Sequence, residues 1–225
     1  ADASVTVSIS QLLQDAPVTI TAGYGSFSDA TLGITVLFAP EGTALNNSDL
    51  SSGFNQISGT YYLAPRSSTD PAITVGGTIT VNAGVKLVIY PGVTLDMGAN
   101  DIQVGGELEV IGTDAERVKI TSSDSSGWNG ITVGEGTTGD AVLNMTGAYL
   151  NELATYAVTL GVDASNVSGP VSITDTRIRM DTDFRDAIRL RYMSAGTSTF
   201  ENNVFYFDGV GSYAFDADSS LSTNR

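Results

Sequence analysis

Residues 171–197 read VSITDTRIRMDTDFRDAIRLRYMSAGT, and residues 198–218 read STFENNVFYFDGVGSYAFDAD. Apolar residues of the first segment recur as phenylalanines in the second at one constant spacing, since Ile173, Ile178 and Ile188 are followed by Phe200, Phe205 and Phe215. A fixed period of a few tens of residues indicates a solenoid, in which every repeat is one turn of a coil that stacks on the next.

The same pattern extends one repeat further towards the N-terminus, with a longer spacing. Three apolar residues precede the isoleucines, again at a constant distance: Leu143, Ala148 and Val158. We therefore expect the spacing inside a turn to be kept while one connection grows by three residues. Stacked rungs joined by loops of variable length behave in this way.

Short alternating runs continue the pattern from Ile73 onward. The first strands of successive turns are predicted to begin at Ile79, Ile102, Ile131, Val158, Ile188 and Phe215. Each turn holds three short strands that alternate inward apolar with outward polar residues. Parallel strands need no helical crossover when each pairs with its counterpart one turn later. The sequence thus predicts an all-β parallel β-helix of about six three-strand rungs.

The N-terminal part of the chain lacks this repeat. Residues 1–57 are expected to form a β-rich capping or assembly segment, and residues 58–225 the parallel β-helix. Ser8–Ala16 begins with a capping box and carries one apolar stripe, which predicts a short helix that Pro17 ends. Such a helix can cover the open end of the first rung. Strands are also predicted at 18–21, 34–38 and 59–63.

Three stretches of the repeat region carry a resemblance to a known family. They are VNAGVKLVIYPGVTL at 81–95, GELEVIGT at 106–113 and WNGI at 128–131. Together they resemble the opening rungs of right-handed parallel β-helix proteins of the pectin-lyase-like superfold, above all those of secreted bacterial and archaeal surface proteins. The resemblance covers roughly 73–218 and implies a right-handed coil. Because this superfold holds polysaccharide lyases, hydrolases, adhesins and non-catalytic repeats, it leaves the activity open.

The amino-acid composition excludes several kinds of binding partner and of catalytic chemistry. Ten basic and 25 acidic residues give a formal net charge of −15, which repels nucleic acid and anionic lipid. The chain has no cysteine and no histidine, so thiolate and imidazole chemistry are excluded. No apolar run is long enough to cross a bilayer, so membrane insertion is not expected. A strongly acidic, Thr- and Ser-rich surface favours an extracellular or cell-surface location, where salt screens the repulsion.

Basic residues cluster between residues 177 and 191, on an otherwise acidic chain. The repeat places Arg179 between Tyr149 below and Tyr206 above, and Arg189 beside Asp216. Two interpretations remain open. These residues form surface ion pairs and a cation–π stack, or they form a binding site for an anion or an uronic acid. Guanidinium groups bind carboxylates and tyrosines stack on sugar rings. The candidate glycan or anion site comprises Tyr149, Arg179, Arg189 and Tyr206.

The turn after Arg179 is the candidate metal site. The period that relates Ile173 to Phe200 also sets Asp181 under Asp208, with Asp183 close by. Like charges side by side are unfavourable unless a cation or an arginine lies between them. Calcium, which binds six to eight oxygens in flexible loops, is therefore the one cofactor considered, against the alternative of solvated turn aspartates.

These patterns lead to two functional hypotheses. The first is a non-enzymatic extracellular structural or adhesive module, which contacts a glycan or a neighbouring surface protein, or associates end to end into a filament. The second is a polysaccharide lyase or glycoside hydrolase that uses Arg179, Arg189 and the Asp181/Asp208 turn. The absence of histidine and the scarcity of lysine favour the first hypothesis.

End-to-end association is suggested by the last turn of the repeat. Half of the eight phenylalanines gather there: Phe200, Phe205, Phe207 and Phe215. An uncovered rung exposes strand edges and an apolar cross-section, which promotes pairing with another chain. The aromatic residues could instead plug the end by themselves, or further sequence could follow.

Overall fold

The structure is a computed structural model that describes residues 16–22, 30–36, 40–67, 69–134, 141–161, 167, 169–181, 183, 185–191, 198–208 and 211–217. The chain divides into two compact units, Ala1–Pro40 and Glu41–Arg225. The second unit contains the repeat region.

The first unit contains an antiparallel hairpin of β1 (Ala16–Ala22) and β2 (Ala30–Val36), in which Ala16 pairs with Val36 and Ala22 with Ala30. The strand predicted at 18–21 is confirmed, and the one at 34–38 overlaps the end of β2. Residues 8–15 of the predicted capping helix lie outside the described residues. Its predicted last residue, Ala16, begins β1, and Pro17 lies within that strand. Proline is tolerated there because both strands of a two-stranded sheet are edge strands.

The described residues of the second unit form strands and turns without any helix. The strands before the middle of the chain are β3 (Thr43–Ala44), β4 (Phe54–Gln56), β5 (Gly59–Leu63), β6 (Ile73–Thr74), β7 (Ile79–Val81), β8 (Val85–Ile89), β9 (Thr94–Asp96), β10 (Ile102–Val104) and β11 (Glu107–Ile111). Those that follow are β12 (Val118–Thr121), β13 (Ile131–Val133), β14 (Val142–Thr146), β15 (Ala148–Leu150), β16 (Val158–Leu160), β17 (Val171–Thr174), β18 (Arg177–Met180), β19 (Ile188–Leu190), β20 (Ser198–Glu201), β21 (Val204–Phe207) and β22 (Phe215–Ala217).

These strands form three parallel sheets that wind around one core. The first sheet has the order β4-β7-β10-β13-β16-β19-β22, the second β3-β5-β8-β11-β14-β17-β20, and the third β6-β9-β12-β15-β18-β21. With the exception of the short β3, each strand pairs with the strand three positions later in the chain, as a coil of three-strand turns requires. The predicted all-β parallel solenoid is confirmed.

The solenoid begins before the boundary placed between residues 57 and 58. Thr43–Ala44 pairs with Tyr61–Tyr62, and Phe54 pairs with Ile79. These early strands are only two and three residues long, among serine, asparagine and glycine. So short a strand in such a context shows no alternation, and the sequence pattern therefore places the start of the coil too late.

The predicted register is correct over most of the coil and wrong at one step. Ile173 pairs with Phe200 and Ile178 with Phe205, and every predicted first-sheet pair is present. Leu143, however, pairs with Val171 and not with Ile173, and Leu150 takes the place beside Ile178 that was predicted for Ala148. The two residues that account for the difference lie between Ile178 and Ile188, after the third-sheet strand. A shift of two residues leaves every side chain on the same face, so alternation cannot reveal it.

Inward-facing side chains stack into continuous columns. Five residues from successive first-sheet strands are at most 1% exposed: Ile79, Ile102, Ile131, Val158 and Ile188. Trp128 is also fully buried, and its indole Nε1 donates a hydrogen bond to the carbonyl oxygen of Asn151 at 2.8 Å. Burial of an aliphatic side chain contributes roughly 1.5–3 kcal/mol, so the columns are the main source of stability.

The corner between the second and third sheets repeats one backbone conformation. Gly147, Asp175 and Asn202 all have positive φ, at 62°, 50° and 55°. Their spacing along the chain equals the spacing between paired residues of the adjacent strands, so they occupy equivalent positions in successive turns. Glycine, asparagine and aspartate are the residues that tolerate this region best. Asn203 stabilises the last of these corners, because its side-chain amide donates a hydrogen bond to the Ile173 carbonyl oxygen at 2.8 Å. In three successive coils of the solenoid, the chain thus passes from the second sheet to the third through the same backbone conformation.

A pair of glycines offers a test of how tightly the turns are stacked. Gly84 and Gly130 have nearly the same φ, 81° and 79°, so alanine at either position incurs the same backbone cost of about 1–2 kcal/mol. At Gly84 an added Cβ meets nothing within 4 Å, whereas at Gly130 it would lie 2.0 Å from the carbonyl oxygen of Tyr156 in the next turn. We expect Gly130→Ala to lower the free energy of unfolding by about 1–3 kcal/mol more than Gly84→Ala, measured by urea denaturation. Equal losses would contradict the stacking of Gly130 on Tyr156.

Candidate functional site

The outer face of the third sheet carries a groove with a volume of about 620 Å³. We call it the basic groove, and its sheet positions are Thr94, Lys119, Tyr149, Arg177, Arg179 and Tyr206. They come from strands β9, β12, β15, β18 and β21, which belong to five consecutive turns. The groove therefore runs along the stacking direction of the solenoid.

Alternation within each strand places these side chains outside. In β12, Lys119 is exposed between the buried Val118 and Ile120, and in β18, Arg177 and Arg179 are exposed on either side of the buried Ile178. Since an outward residue must sit between two inward ones in a strand, the apolar core fixes the direction of every basic side chain.

Strand pairing then aligns the outward residues into columns. Lys119 pairs with Thr94 on one side and with Tyr149 on the other, and Tyr149 pairs with Arg177. One column thus reads threonine, lysine, tyrosine and arginine in four successive strands. Arg179 and Tyr206 are paired in the neighbouring column, two residues further along the strands.

Arg179 is held by acidic groups. Its Nε lies 2.8 Å from Asp181 Oδ1 and donates a hydrogen bond of 2.8 Å to Asp208 Oδ2. The hydrogen bond to Asp208 is the main cause that raises the pKa of Arg179, followed by the charges of Asp181 and Asp208 and a hydrogen bond with Tyr149. Arg179 is therefore a cation that is already paired with acidic groups of the protein.

Lys119 and Arg177 have a different environment. Both are exposed, and neither has an acidic partner among the residues that the structure describes. Arg117 at the groove wall is instead paired with Asp114 and donates to the Asp175 carbonyl oxygen at 2.6 Å. The groove thus combines two paired arginines with two cations that are available for a ligand.

The prediction that Arg179 lies between two tyrosines is half correct. Tyr206 is its register partner, as expected, but Tyr149 pairs with Arg177, because the step between these two strands is two residues shorter than predicted. Arg179 lies two residues further along the same strand as Arg177, so it is still close to Tyr149. Tyr149, Arg179 and Tyr206 therefore share the basic groove.

Arg189, the fourth residue of the predicted site, lies elsewhere. It belongs to β19 in the first sheet, where it is paired with Asp216 as predicted, and the Nε to Oδ2 distance is 3.5 Å. Its guanidinium lies 4.6 Å from the centre of the Tyr156 ring. Arg189 therefore makes a cation–π contact with Tyr156, on a different sheet from the groove.

The three candidate calcium ligands also differ from the expected cluster. Arg179 bridges Asp181 and Asp208, so an arginine takes the position between the carboxylates that was considered for a cation. Asp183 is exposed in the following turn. Within the described ranges, no three Asp, Glu, His or Cys side chains come together as a metal site would require.

Lys119 and Arg177 line the groove but were not among the residues predicted for the site. A signal for them exists, because each stands at an outward position of an alternating strand, on a chain with only ten basic residues. The predicted register was wrong by two residues and placed Tyr149 beside Arg179. The column of Lys119, Tyr149 and Arg177 was therefore not predicted.

Comparison of the chain with protein-family models, with curated proteins and with solved structures finds no match. In the residues that the structure describes there is no helix with the length and hydrophobicity needed to cross a membrane.

The position of Arg179 yields a prediction about calcium. Because the Arg179 guanidinium already lies between Asp181 and Asp208 and pairs with both, the melting temperature of the native chain should be the same in calcium and in chelator. In Arg179→Gln the two carboxylates lose their shared cation, and calcium should then raise the melting temperature, since a ligand bound only by the folded state stabilises it. Arg185→Gln is the matched control. If calcium stabilises the native chain as much as the variant, the bridge by Arg179 is not the dominant interaction.

Proposed function

We propose that this chain is a non-enzymatic, extracellular β-helix module that binds an acidic glycan in the basic groove. The observation that carries the proposal is the placement of Lys119 and Arg177 on either side of Tyr149, in a protein of net charge −15. The resemblance to right-handed β-helices of secreted microbial surface proteins supports the extracellular location.

The charge distribution favours an anionic ligand. On a surface with such an excess of carboxylates, a basic side chain lowers its energy most simply by pairing with a neighbouring acid, as Arg117 and Arg179 do. Lys119 and Arg177 are left without such a pair among the described residues, so they can form charge-assisted hydrogen bonds with carboxylate or sulfate groups of a ligand.

The aromatic residues favour a sugar over a simple ion. Tyr149 and Tyr206 lie in the same groove as the cations. A tyrosine ring offers an apolar face together with a polar hydroxyl, a combination suited to the mixed surface of a pyranose. A groove with cations and tyrosines side by side therefore matches an uronic acid or a sulfated sugar.

The rival hypothesis, a glycoside hydrolase or polysaccharide lyase, fits the groove less well. Hydrolysis normally uses two carboxyl groups that flank the scissile bond. Asp114 and Asp208, the carboxylates among the described residues that line this groove, are both ion-paired with arginines of its wall. A lyase that uses a basic residue remains the alternative to be tested.

Binding to a panel of acidic and neutral polysaccharides tests the function directly. We expect the intact chain to bind uronate or sulfated glycans but not neutral ones, with an affinity that falls as salt concentration rises. Arg177→Gln should weaken binding, and Arg185→Gln, which removes the same charge from an exposed turn, should not. Isothermal titration calorimetry measures both.

The same samples decide between binding and catalysis. Unsaturated products followed by ultraviolet absorbance, and reducing ends followed by a colorimetric assay, should not accumulate. Sustained turnover that is lost in Arg177→Gln would replace the binding proposal with the lyase alternative.

The C-terminal end of the described coil supports a structural role in addition. Strands β20, β21 and β22 end the three sheets within the described residues. Phe215 contacts the rings of Phe200 and Phe205 at centroid distances of 5.3 and 5.8 Å, yet it remains 42% exposed. We include in the proposal that this end associates with a second copy of the chain or a neighbouring surface protein, in a head-to-tail contact that can propagate as a filament.

Light scattering over a concentration series tests the end-to-end contact. Phe215→Asp places a charge on the apolar end and should reduce association, whereas Phe215→Leu, which remains apolar, should preserve it. Circular dichroism checks that both variants fold. A native chain that is monomeric at every concentration would exclude the filament and leave the glycan proposal intact.

A further inference from the structure

We infer that the basic groove binds a linear acidic oligosaccharide that lies along the solenoid axis, crosses the strands, and bridges Lys119 and Arg177 over Tyr149. This inference rests on the proposed function and specifies the shape and minimum length of the ligand. Its basis is the register of the third sheet and the pairing state of each cation in it.

The two available cations are separated along the axis. Lys119 pairs with Tyr149 and Tyr149 with Arg177, so the two cations are two strand spacings apart. Neighbouring strands are about 4.8 Å apart, which puts the backbone positions of Lys119 and Arg177 about 10 Å apart. A ligand that contacts both must therefore carry two anionic groups at a comparable distance.

The other direction across the groove offers no second available cation among the described residues. Arg179 lies two residues from Arg177 along the same strand, about 7 Å away, but Asp181 and Asp208 neutralise it. A ligand laid along the strands would approach these carboxylates. Its negative charges would be repelled, so the orientation across the strands is favoured.

Tyr149 occupies the middle of the line of contact. It is half-buried, and the strand register places it directly between Lys119 and Arg177. A ligand that bridges Lys119 and Arg177 must pass over this ring. An oligosaccharide can place an apolar sugar face there, whereas inorganic polyphosphate would place a further charge.

The neighbours of the column carry no charge. Thr94 precedes Lys119 and Val204 follows Arg177 in the register, and Val204 is 43% exposed. A longer glycan can extend over both positions without repulsion, but it gains no further ionic contact there. Affinity should thus rise until the ligand spans the two cations and then level off.

A length series of oligouronates tests this arrangement by calorimetry. With the native chain, a single uronic acid should bind weakly, and affinity should rise by about tenfold once the oligomer reaches both cations, the effect of one added charge-assisted contact. Lys119→Gln and Arg177→Gln should each abolish this rise, because only one anchor remains. Arg185→Gln should retain it, and circular dichroism checks that all variants fold.

Inorganic polyphosphate serves as a probe of charge alone. Tyr149→Ala should weaken the binding of long oligouronates by about tenfold and change polyphosphate binding little, since stacking on the ring is available only to the sugar. Equal loss of both ligands, or tighter binding of polyphosphate than of oligouronates by the native chain, would contradict the role given to Tyr149.

The outcomes separate the inference from the proposed function. If no acidic glycan of any length binds, the proposed function itself fails. If acidic glycans bind but affinity does not depend on length, or the rise persists in Lys119→Gln or Arg177→Gln, the ligand does not bridge the two cations along the axis. In that case the glycan-binding function still holds.

Discussion

The backbone hydrogen bonds between successive turns are the constraint on which the rest of this structure depends. Every described strand of the coil is short, between two and five residues, and none could persist alone. Pairing with the equivalent strand of the next turn satisfies the backbone groups and at the same time stacks like on like. Isoleucine therefore lies on isoleucine inside, and outward residues are aligned into columns on the surface.

That same stacking creates the basic groove. Because a column takes one residue from each turn, residues that are widely scattered in the sequence become neighbours. Lys119, Tyr149 and Arg177 belong to three different turns and are distant in the chain, yet each is the direct strand neighbour of the next. A solenoid can in this way build an extended site for a linear ligand from isolated positions.

Several basic side chains are paired with acidic residues of the same chain. Arg179 and Arg117 are neutralised by aspartates, and Lys86 in the second sheet forms ion pairs with Glu107 and Glu109. Ion pairs at a protein surface add little to stability, roughly 0–1 kcal/mol each. The more important effect of the two arginine pairs is to fix side chains around the groove, so that Lys119 and Arg177 stand out against a neutral or negative surface.

The sequence by itself determined the architecture, because apolar residues that recur at a constant spacing are buried together when each repeat forms one turn that stacks on the next. The period that relates Ile173 to Phe200 set the stacking, and the alternation in β18 set the outward direction of Arg177 and Arg179. Only the tertiary structure decided which outward residues meet. Two extra residues after Ile178 change the register without changing any side chain's face, so the pattern could not locate them. Neither could it show that Asp181 and Asp208 are bridged by Arg179, since that depends on the reach of a side chain between strands and not on spacing along the chain.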